Sequence, residues 1–267
     1  MKRRPVVAGQ FYSSSQLGLK RQVQQFLDPA AGRERALGIV SPHAGFMYSG
    51  AVAGAVYSSI AAPKTFVLLG PNHTGMGAPV ALYAEGEWEI PTATFSVDGA
   101  FAQLLLAQSR LIQPDTEAHA REHSLEVQLP FIDATAKDAA IVPIAVMHAS
   151  LEACKAVGEA IAAAIRQTPY EVTMVASTDM SHYVSDKTAR RLDSLALQHV
   201  LALDPEGLYK TVHEQRISMC GVYPATIMLF AAKALGAQRV RQVRYATSGE
   251  VSGDFEQVVG YAGLIIL

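Results

Sequence analysis

The chain has 267 residues, of which 50% are hydrophobic and 17% charged, so it can bury a substantial core and is not intrinsically disordered. Its formal net charge is −2, and Lys and Arg are scattered along it, which argues against a nucleic-acid-binding surface. No apolar run is long enough to span a bilayer, and no apolar segment follows the basic start Met-Lys-Arg-Arg-Pro, so we expect a cytoplasmic protein with no nucleic-acid or membrane partner.

The first hundred residues alternate between short apolar runs and segments with helical character. Residues 1–14 form an extended arm whose serine run can cap a helix. Residues 49–62 are rich in Ala, Gly and Ser, which predicts a crossover helix that approaches a sheet closely. The predicted elements of this part are a helix at 16–27, strands at 36–41, 65–69 and 79–84, and a hairpin or loop at 86–97.

The remainder of the chain continues the same alternation of strand and helix. Such alternation from end to end is typical of a mostly parallel sheet covered by helices on both faces. We therefore predict a single-domain α/β protein over residues 1–267, with a twisted, mostly parallel sheet. Its further helices are predicted at 97–109, 122–134, 150–167, 185–203, 205–214 and 223–235, and its further strands at 139–147, 171–177, 240–246 and 257–267.

Two histidines follow predicted strands in matching settings. His43 comes after an apolar run and a proline, and His73 comes after a second apolar run and Gly-Pro-Asn. The carboxyl ends of strands in open α/β sheets form the edge where ligands bind. Either histidine alone could simply hydrogen-bond a loop backbone, but two neutral imidazoles at one edge are a common start of a transition-metal site.

The segment Glu122-His123-Ser-Leu-Glu126 is a dense cluster of polar residues. If it is helical, the spacing of four places the two carboxylates on one face. The carboxylates could be metal ligands, partners of a ligand histidine, or charges that favour the start of a helix. The presence of His123 beside the two carboxylates favours a role of this segment in a functional site.

A third strand-end histidine occurs in Ser177-Thr-Asp179-Met-Ser-His182. Asp179 and His182 are three residues apart and could share a hydrogen bond, which would make His182 an oriented general base. The alternative is an aspartate that caps a helix next to a structural histidine. The four other histidines are most simply surface or satisfied residues, and His119 is expected to be solvated.

Of the two cysteines, Cys154 lies in a predicted helix and is expected to be a core residue, whereas Cys220 precedes a glycine at a turn. Two cysteines are too few for a disulfide framework. A Cys220 thiolate with two histidines would suit copper, zinc or iron. The chain contains no glycine-rich phosphate loop, nucleotide-binding fingerprint or nucleophile elbow.

Taken together, the ordered motifs of this chain resemble the MEMO family, the mediator of cell motility proteins, whose prokaryotic members include protein B of the AmmeMemoRadiSam system. The resemblance extends from about residue 3 to the end. The motifs that carry it are at residues 5–12, 41–45, 69–73, 122–131, 177–183, 220–221, 248–254 and 259–261.

The resemblance implies the fold of class III, LigB-type extradiol dioxygenases. It implies that His43, His73 and Cys220 bind a metal, iron(II) or copper with zinc also suitable, and that His182 with Asp179 is the acid/base group. His123 would be an additional catalytic or pocket residue. It also implies a small-molecule or peptide ligand in the pocket, and a radical SAM protein and an AMMECR-type protein as partners.

The cysteine in the expected metal set separates this chain from the dioxygenases, whose third ligand is a carboxylate. A thiolate softens the site and favours copper(I) or an altered iron potential. We therefore expect a metal-dependent redox protein of dioxygenase type, whose substrate the sequence does not identify. Two alternatives remain at this point: a binding module that retains the pocket without the chemistry, and a zinc hydrolase.

Overall fold

The computed structural model describes residues 1–267 and has a large mixed sheet as its centre. A second, three-stranded sheet forms from β1, β5 and β6. The strands are β1 (Lys2–Arg3), β2 (Gly38–Ser41), β3 (Thr65–Pro71), β4 (Val80–Leu82), β5 (Glu87–Ile90), β6 (Ala93–Ser96), β7 (Gln113–Pro114), β8 (Ala140–Val146), β9 (Val172–Ser177), β10 (His182–Val184), β11 (Val240–Thr247) and β12 (Val258–Ile266).

Nine helices cover the sheet, and serine caps begin three of them. The side chains of Ser15, Ser150 and Ser185 each accept a backbone N–H of the first helical turn. The helices are α1 (Gln16–Gln24), α2 (Phe46–Ser58), α3 (Gly99–Gln108), α4 (Leu129–Thr135), α5 (Leu151–Arg166), α6 (Asp186–Leu201), α7 (Pro205–Glu214), α8 (Val222–Leu235) and α9 (Gly249–Ser252).

The order of strands in the large sheet is β10-β12-β2-β9-β3-β8-β4-β7, and β11 pairs with β12. The four strands β2, β9, β3 and β8 at its centre are parallel to one another. The flanking pairs β12–β2, β11–β12, β10–β12 and β4–β8 are antiparallel. The predicted α/β class is confirmed, with a parallel centre and antiparallel flanks.

Hydrophobic side chains cover both faces of the sheet. One core lies between the sheet and a layer that includes α3, α5, α6, α7 and α8. The other core lies beneath α1, α2, α4 and the small sheet. All seven residues of β3 are buried, as the uninterrupted apolar run predicts. No helix combines the length and the hydropathy needed to cross a membrane.

The predicted helix over residues 122–134 is wrong in its first half. The segment before α4 is a compact turn followed by a 3-10 helix at Glu126–Gln128. The Glu122 carboxylate accepts the backbone N–H groups of His123 and Ser124, which closes a turn instead of a helix. Pro130 lies in the first turn of α4, where its missing N–H is tolerated. Glu122 and Glu126 therefore do not share a helix face.

The parallel strands end at one edge of the sheet, and each is followed by a polar side chain at the same offset. His43, Asp179 and His73 each lie two residues beyond the last residue of β2, β9 and β3. Because these three strands are neighbours in that order, the three side chains come together at one edge.

Candidate metal centre

Three histidines converge at this edge, and one ligand nitrogen from each lies within 4.8 Å of the others. His43 and His73 follow strands, and His123 comes from the turn before α4. The ring centroids are 5.3 Å apart for His43 and His73, 5.5 Å for His43 and His123, and 4.7 Å for His73 and His123. The side chain of His73 is 35% exposed, so the cluster is open to solvent on that side.

His43 is the buried member of the cluster. Its Nδ1 lies 2.9 Å from the Ser177 hydroxyl, and its backbone N–H donates to Asp179 Oδ1 at 2.8 Å. Burial lowers the pKa of His43 well below its usual value, and the nearby imidazoles of His123 and His73 lower it further. The ring is therefore neutral at physiological pH, as a metal ligand must be.

Glu122 joins the other two histidines. Its Oε1 lies 2.9 Å from His73 Nδ1 and 3.5 Å from His123 Nδ1, and its Oε2 accepts the backbone N–H of His73 at 2.5 Å. Burial alone would raise the pKa of Glu122, but hydrogen bonds from His73 and Ser124 and the charges of both histidines hold it at about 2. The carboxylate is therefore ionised; it holds the ring of His73 and the backbone N–H of His123.

The donor set fits a transition metal. Nδ1 of His43 and Nδ1 of His73 lie within hydrogen-bond distance of Ser177 and Glu122, respectively, which leaves Nε2 of both rings to bind an ion. Nδ1 of His123 lies 3.5 Å from Glu122. A carboxylate or hydroxyl behind the second nitrogen is the usual way in which proteins orient ligand histidines. The His43, His73 and His123 group could therefore hold a metal ion, and imidazole nitrogens suit zinc, copper or iron.

Cys220 lies beside the cluster, next to His43. Its Sγ is 3.4 Å from His43 Nε2 and accepts the backbone N–H of Asp179 at 3.2 Å. Burial raises the pKa of the thiol above its usual value, and the charge of Asp179 raises it further. The group of three convergent nitrogens contains His123, and Cys220, which the resemblance implies as a ligand, lies beside this group.

Asp179 and His182 do not form the hydrogen bond that their spacing suggested. The buried carboxylate of Asp179 instead accepts the N–H of His43, and burial raises its pKa. Nδ1 of His182 lies 2.8 Å from the Ser218 carbonyl, and its backbone N–H donates to the Ser218 hydroxyl. Ser218 therefore orients the ring of His182, and Nε2 is left to accept a proton.

The histidines outside the site largely follow the sequence prediction. His148 and His213 are exposed, and His199 is satisfied by Asp204 at 2.8 Å. The prediction that His119 is solvated is wrong, since it is fully buried and its Nε2 contacts the Ala81 carbonyl at 3.1 Å. Cys154 is buried in the core, as predicted.

The sequence assigns no role in the site to several residues that contact it, although two of them lie inside the motifs at 122–131 and 177–183. Ser177, Ser218 and Gln128 reach it through contacts that cross more than thirty positions of the chain. Gln128 donates to the Ser177 hydroxyl at 2.9 Å and to the Pro42 carbonyl at 3.0 Å, which connects two strand ends. Gln128 lies in the motif at 122–131 between two apolar residues, but this position does not indicate which strand ends it contacts.

With this fold and site in place, comparison with known proteins identifies the class. The chain matches the family described as Memo-like protein over residues 3–265, which is nearly its whole length. The chain belongs to this family.

Individual relatives support the same assignment over their full length. A MEMO1 family protein of Methanothermobacter thermautotrophicus is 39% identical and covers 99% of this chain and 100% of its own. Those of Archaeoglobus fulgidus and Thermotoga maritima are 41% and 38% identical, and they cover 98% and 100% of both chains, respectively.

Proposed function

We propose that this protein is a transition-metal-dependent redox protein of class III dioxygenase type, in which His43, His73 and His123 hold iron(II) or copper. The observation that carries the proposal is the convergence of three imidazoles, two of which have Nδ1 within hydrogen-bond distance of Ser177 or Glu122. When bound, such an ion would supply one-electron chemistry that side chains alone do not provide.

Cys220 is proposed as a further ligand on the side of His43. With metal–sulfur and metal–nitrogen distances of about 2.3 and 2.0 Å, two ligand atoms of one tetrahedral ion lie roughly 3.5 Å apart. The 3.4 Å between Cys220 Sγ and His43 Nε2 fits this separation. A soft sulfur beside the imidazoles favours copper or zinc over harder ions.

His182 is the proposed acid/base group. The Ser218 carbonyl holds the proton on Nδ1, so Nε2 can take up and release a proton. Burial raises the pKa of Asp179, and the charge of a protonated His182 opposes this rise, which supports a position of His182 near the centre. A positioned base typically contributes ~10²–10⁴-fold to a rate.

An open cavity of about 610 Å³ lies beside residues 9–14 and is the proposed ligand pocket, although none of the three histidines lines it. Its lining includes Phe11, which contacts the His123 ring edge-on at 4.9 Å, and Gly45 and Tyr48 just after His43. No charged side chain lines it, so it suits a neutral, aromatic or hydroxyl-bearing ligand. The same cavity supports the second candidate function, a module that binds a peptide or partner without catalysis.

The family resemblance further supports a radical SAM protein and an AMMECR-type protein as partners. Co-expression of each with this chain, followed by size-exclusion chromatography, tests the proposal. A complex that elutes as one species supports a partnership, and separate elution of both proteins at micromolar concentrations contradicts it.

Metal analysis of protein purified without oxygen tests the central proposal. We expect wild type to retain iron or copper, and the variant His43→Ala/His73→Ala/His123→Ala to lose it. A variant with two exposed histidines changed, His148→Ala/His213→Ala, is the matched control and should retain the metal. The proposal fails if wild type and the triple variant hold equally little iron, copper and zinc.

A second measurement separates redox chemistry from plain binding. Oxygen consumption by metal-loaded protein in the presence of neutral phenols supports the dioxygenase type. Binding of the same phenols, or of a partner, without oxygen consumption supports the binding module instead.

A further inference from the structure

The amino-terminal arm is anchored by a buried arginine. The side chain of Arg3 is 5% exposed, although arginine is almost never buried without partners. Its Nε donates to the His119 carbonyl at 2.8 Å, and its Nη2 donates to the Glu122 carbonyl at 2.5 Å. Its guanidinium also lies 4.1 Å from the centre of the Trp88 ring, in a cation–π contact.

Glu126 is the partner of this arginine and holds the rest of the arm. Its fully buried carboxylate pairs with Arg3 Nη1 at 2.7 Å. It also accepts the backbone N–H groups of Val6 and Val7 at 2.8 and 3.1 Å, and the Tyr12 hydroxyl at 2.6 Å. A single carboxylate therefore fixes the arm at several points along residues 3–12.

The arm reaches the imidazole cluster from two directions. Arg3 holds the main-chain carbonyl of Glu122, the residue whose carboxylate orients His73 and His123. At the other end, Phe11 contacts the His123 ring edge-on, with the ring centroids 4.9 Å apart. The turn that carries Glu122 and His123 thus lies between two contacts with the arm.

We propose that Arg3 and Glu126 are positioning residues of the metal centre, and that the arm is part of that centre. Their role is to hold the Glu122–His123 turn so that the nitrogens of His73 and His123 face His43. The inference rests on the proposed function, since it assumes that the three imidazoles bind a metal.

The chemistry of the pair favours positioning over stability alone. Burying two charges has a large desolvation cost, and apolar side chains of similar size often stabilise a core equally well. What an arginine supplies and an apolar side chain cannot is a rigid set of directed N–H groups. Here the N–H groups of Arg3 donate to the carbonyls of His119 and Glu122 and to the carboxylate of Glu126. These three contacts fix the orientation of the loop at 119–126.

The test uses Co²⁺ as the probe, because its visible absorption reports both binding and ligand geometry. The variant Arg3→Lys keeps the charge but cannot make all three contacts at once. Glu126→Gln keeps the size of the side chain and removes its charge. We expect each variant to bind Co²⁺ about tenfold more weakly than wild type and to shift its absorption bands. Tenfold is the lower end of the loss of affinity seen when a residue that hydrogen-bonds a metal ligand is changed.

Two control variants separate positioning from general destabilisation. Lys2→Gln changes the neighbouring, half-exposed cation that pairs with Glu87, and should leave affinity and spectrum unchanged. Ile161→Val weakens the core under α5, on the other side of the sheet, and should lower stability without a shift of the spectrum. All variants are checked for folding by circular dichroism.

The outcomes of the Co²⁺ titrations distinguish a positioning role of Arg3 and Glu126 from a purely structural one. Arg3→Lys and Glu126→Gln are the two brace variants. Weaker binding with a shifted spectrum in both of them, and in neither control, supports the proposal. If wild type binds Co²⁺ and both brace variants match it in affinity and spectrum, the positioning role is wrong and the proposed function stands. If wild type itself does not bind Co²⁺, the proposed function fails and the positioning role with it. If neither brace variant folds, the pair is a folding element and the positioning role is wrong.

Discussion

At the scale of single residues, one carboxylate connects two of the three imidazoles of the candidate metal centre. Glu122 is fully buried, and its pKa of about 2 keeps it ionised at physiological pH. An ionised carboxylate accepts hydrogen bonds only, so it holds the proton of His73 on Nδ1 and leaves Nε2 free for a metal.

Replacing Glu122 by glutamine should therefore weaken metal binding. The amide has one acceptor oxygen instead of two and carries no charge, so it cannot hold both rings and the adjacent N–H groups equally well. We expect Glu122→Gln to lower the affinity for Zn²⁺ by about 10–100-fold in a competitive chelator titration. Glu117→Gln, on the exposed part of the same segment, should bind as wild type does, and equal binding by Glu122→Gln would refute the role of the carboxylate.

Acid sensitivity should depend on His119. Burial lowers the pKa of its ring from 6.5 to about 4, so the folded protein binds this proton much less readily than the unfolded chain. Between pH 6.5 and 4 the unfolded state holds the extra proton, and the free energy of unfolding falls as the pH drops. This group contributes a loss of roughly 3 kcal/mol across that window.

Urea denaturation at several pH values checks this. The variant His119→Gln retains an amide that can donate to the Ala81 carbonyl but cannot take up a proton, so its unfolding free energy should fall less between pH 6.5 and 4. A wild type and a variant that lose the same stability over that interval would show that His119 is not responsible.

At the scale of elements, helix α2 shows how small residues let the chain pack closely. A Cβ added at Gly54 would overlap the carbonyl oxygen of Phe26, whereas one added at Gly50 would meet the Phe26 ring. A backbone oxygen cannot move as readily as a ring, so only the first position demands glycine. Alanine is otherwise the better helix former by about 1 kcal/mol.

We therefore expect Gly54→Ala to destabilise the protein by about 1–3 kcal/mol, as overpacked substitutions do. Gly50→Ala should have a smaller effect, because the Phe26 ring can adjust. Denaturation midpoints of the two variants measure the difference. A Gly54→Ala variant as stable as Gly50→Ala or wild type would mean that α2 can shift away from Phe26.

The elements also show which parts of the fold follow from the sequence. Apolar runs that end in proline or glycine predict β2 and β3, and the offset of two residues beyond each strand explains why His43 and His73 meet. The turn at 122–125 could not be predicted, because the helical spacing of its charges competes with hydrogen bonds from Glu122 to its own backbone. Strands of two or three residues, such as β7 and β10, are too short to show any periodicity.

At the scale of the whole molecule, the site is assembled from segments far apart in the sequence. The arm supplies Phe11, two parallel strands supply His43 and His73, the turn before α4 supplies His123, and the start of α8 supplies Cys220. The sequence predicts which strand ends meet, because parallel strands share one edge. It does not predict that His123 lies within 4.8 Å of the other two imidazoles, because that depends on how loops pack over the edge.

The proposed metal centre therefore fixes where an ion should bind when it is supplied. The most direct measurement is a crystal structure of protein loaded with iron or copper under anaerobic conditions, with the metal located by its anomalous scattering. We predict one strong peak between Nε2 of His43, His73 and His123. A peak elsewhere on the chain, or no peak at this edge of the sheet under saturating metal, would contradict it.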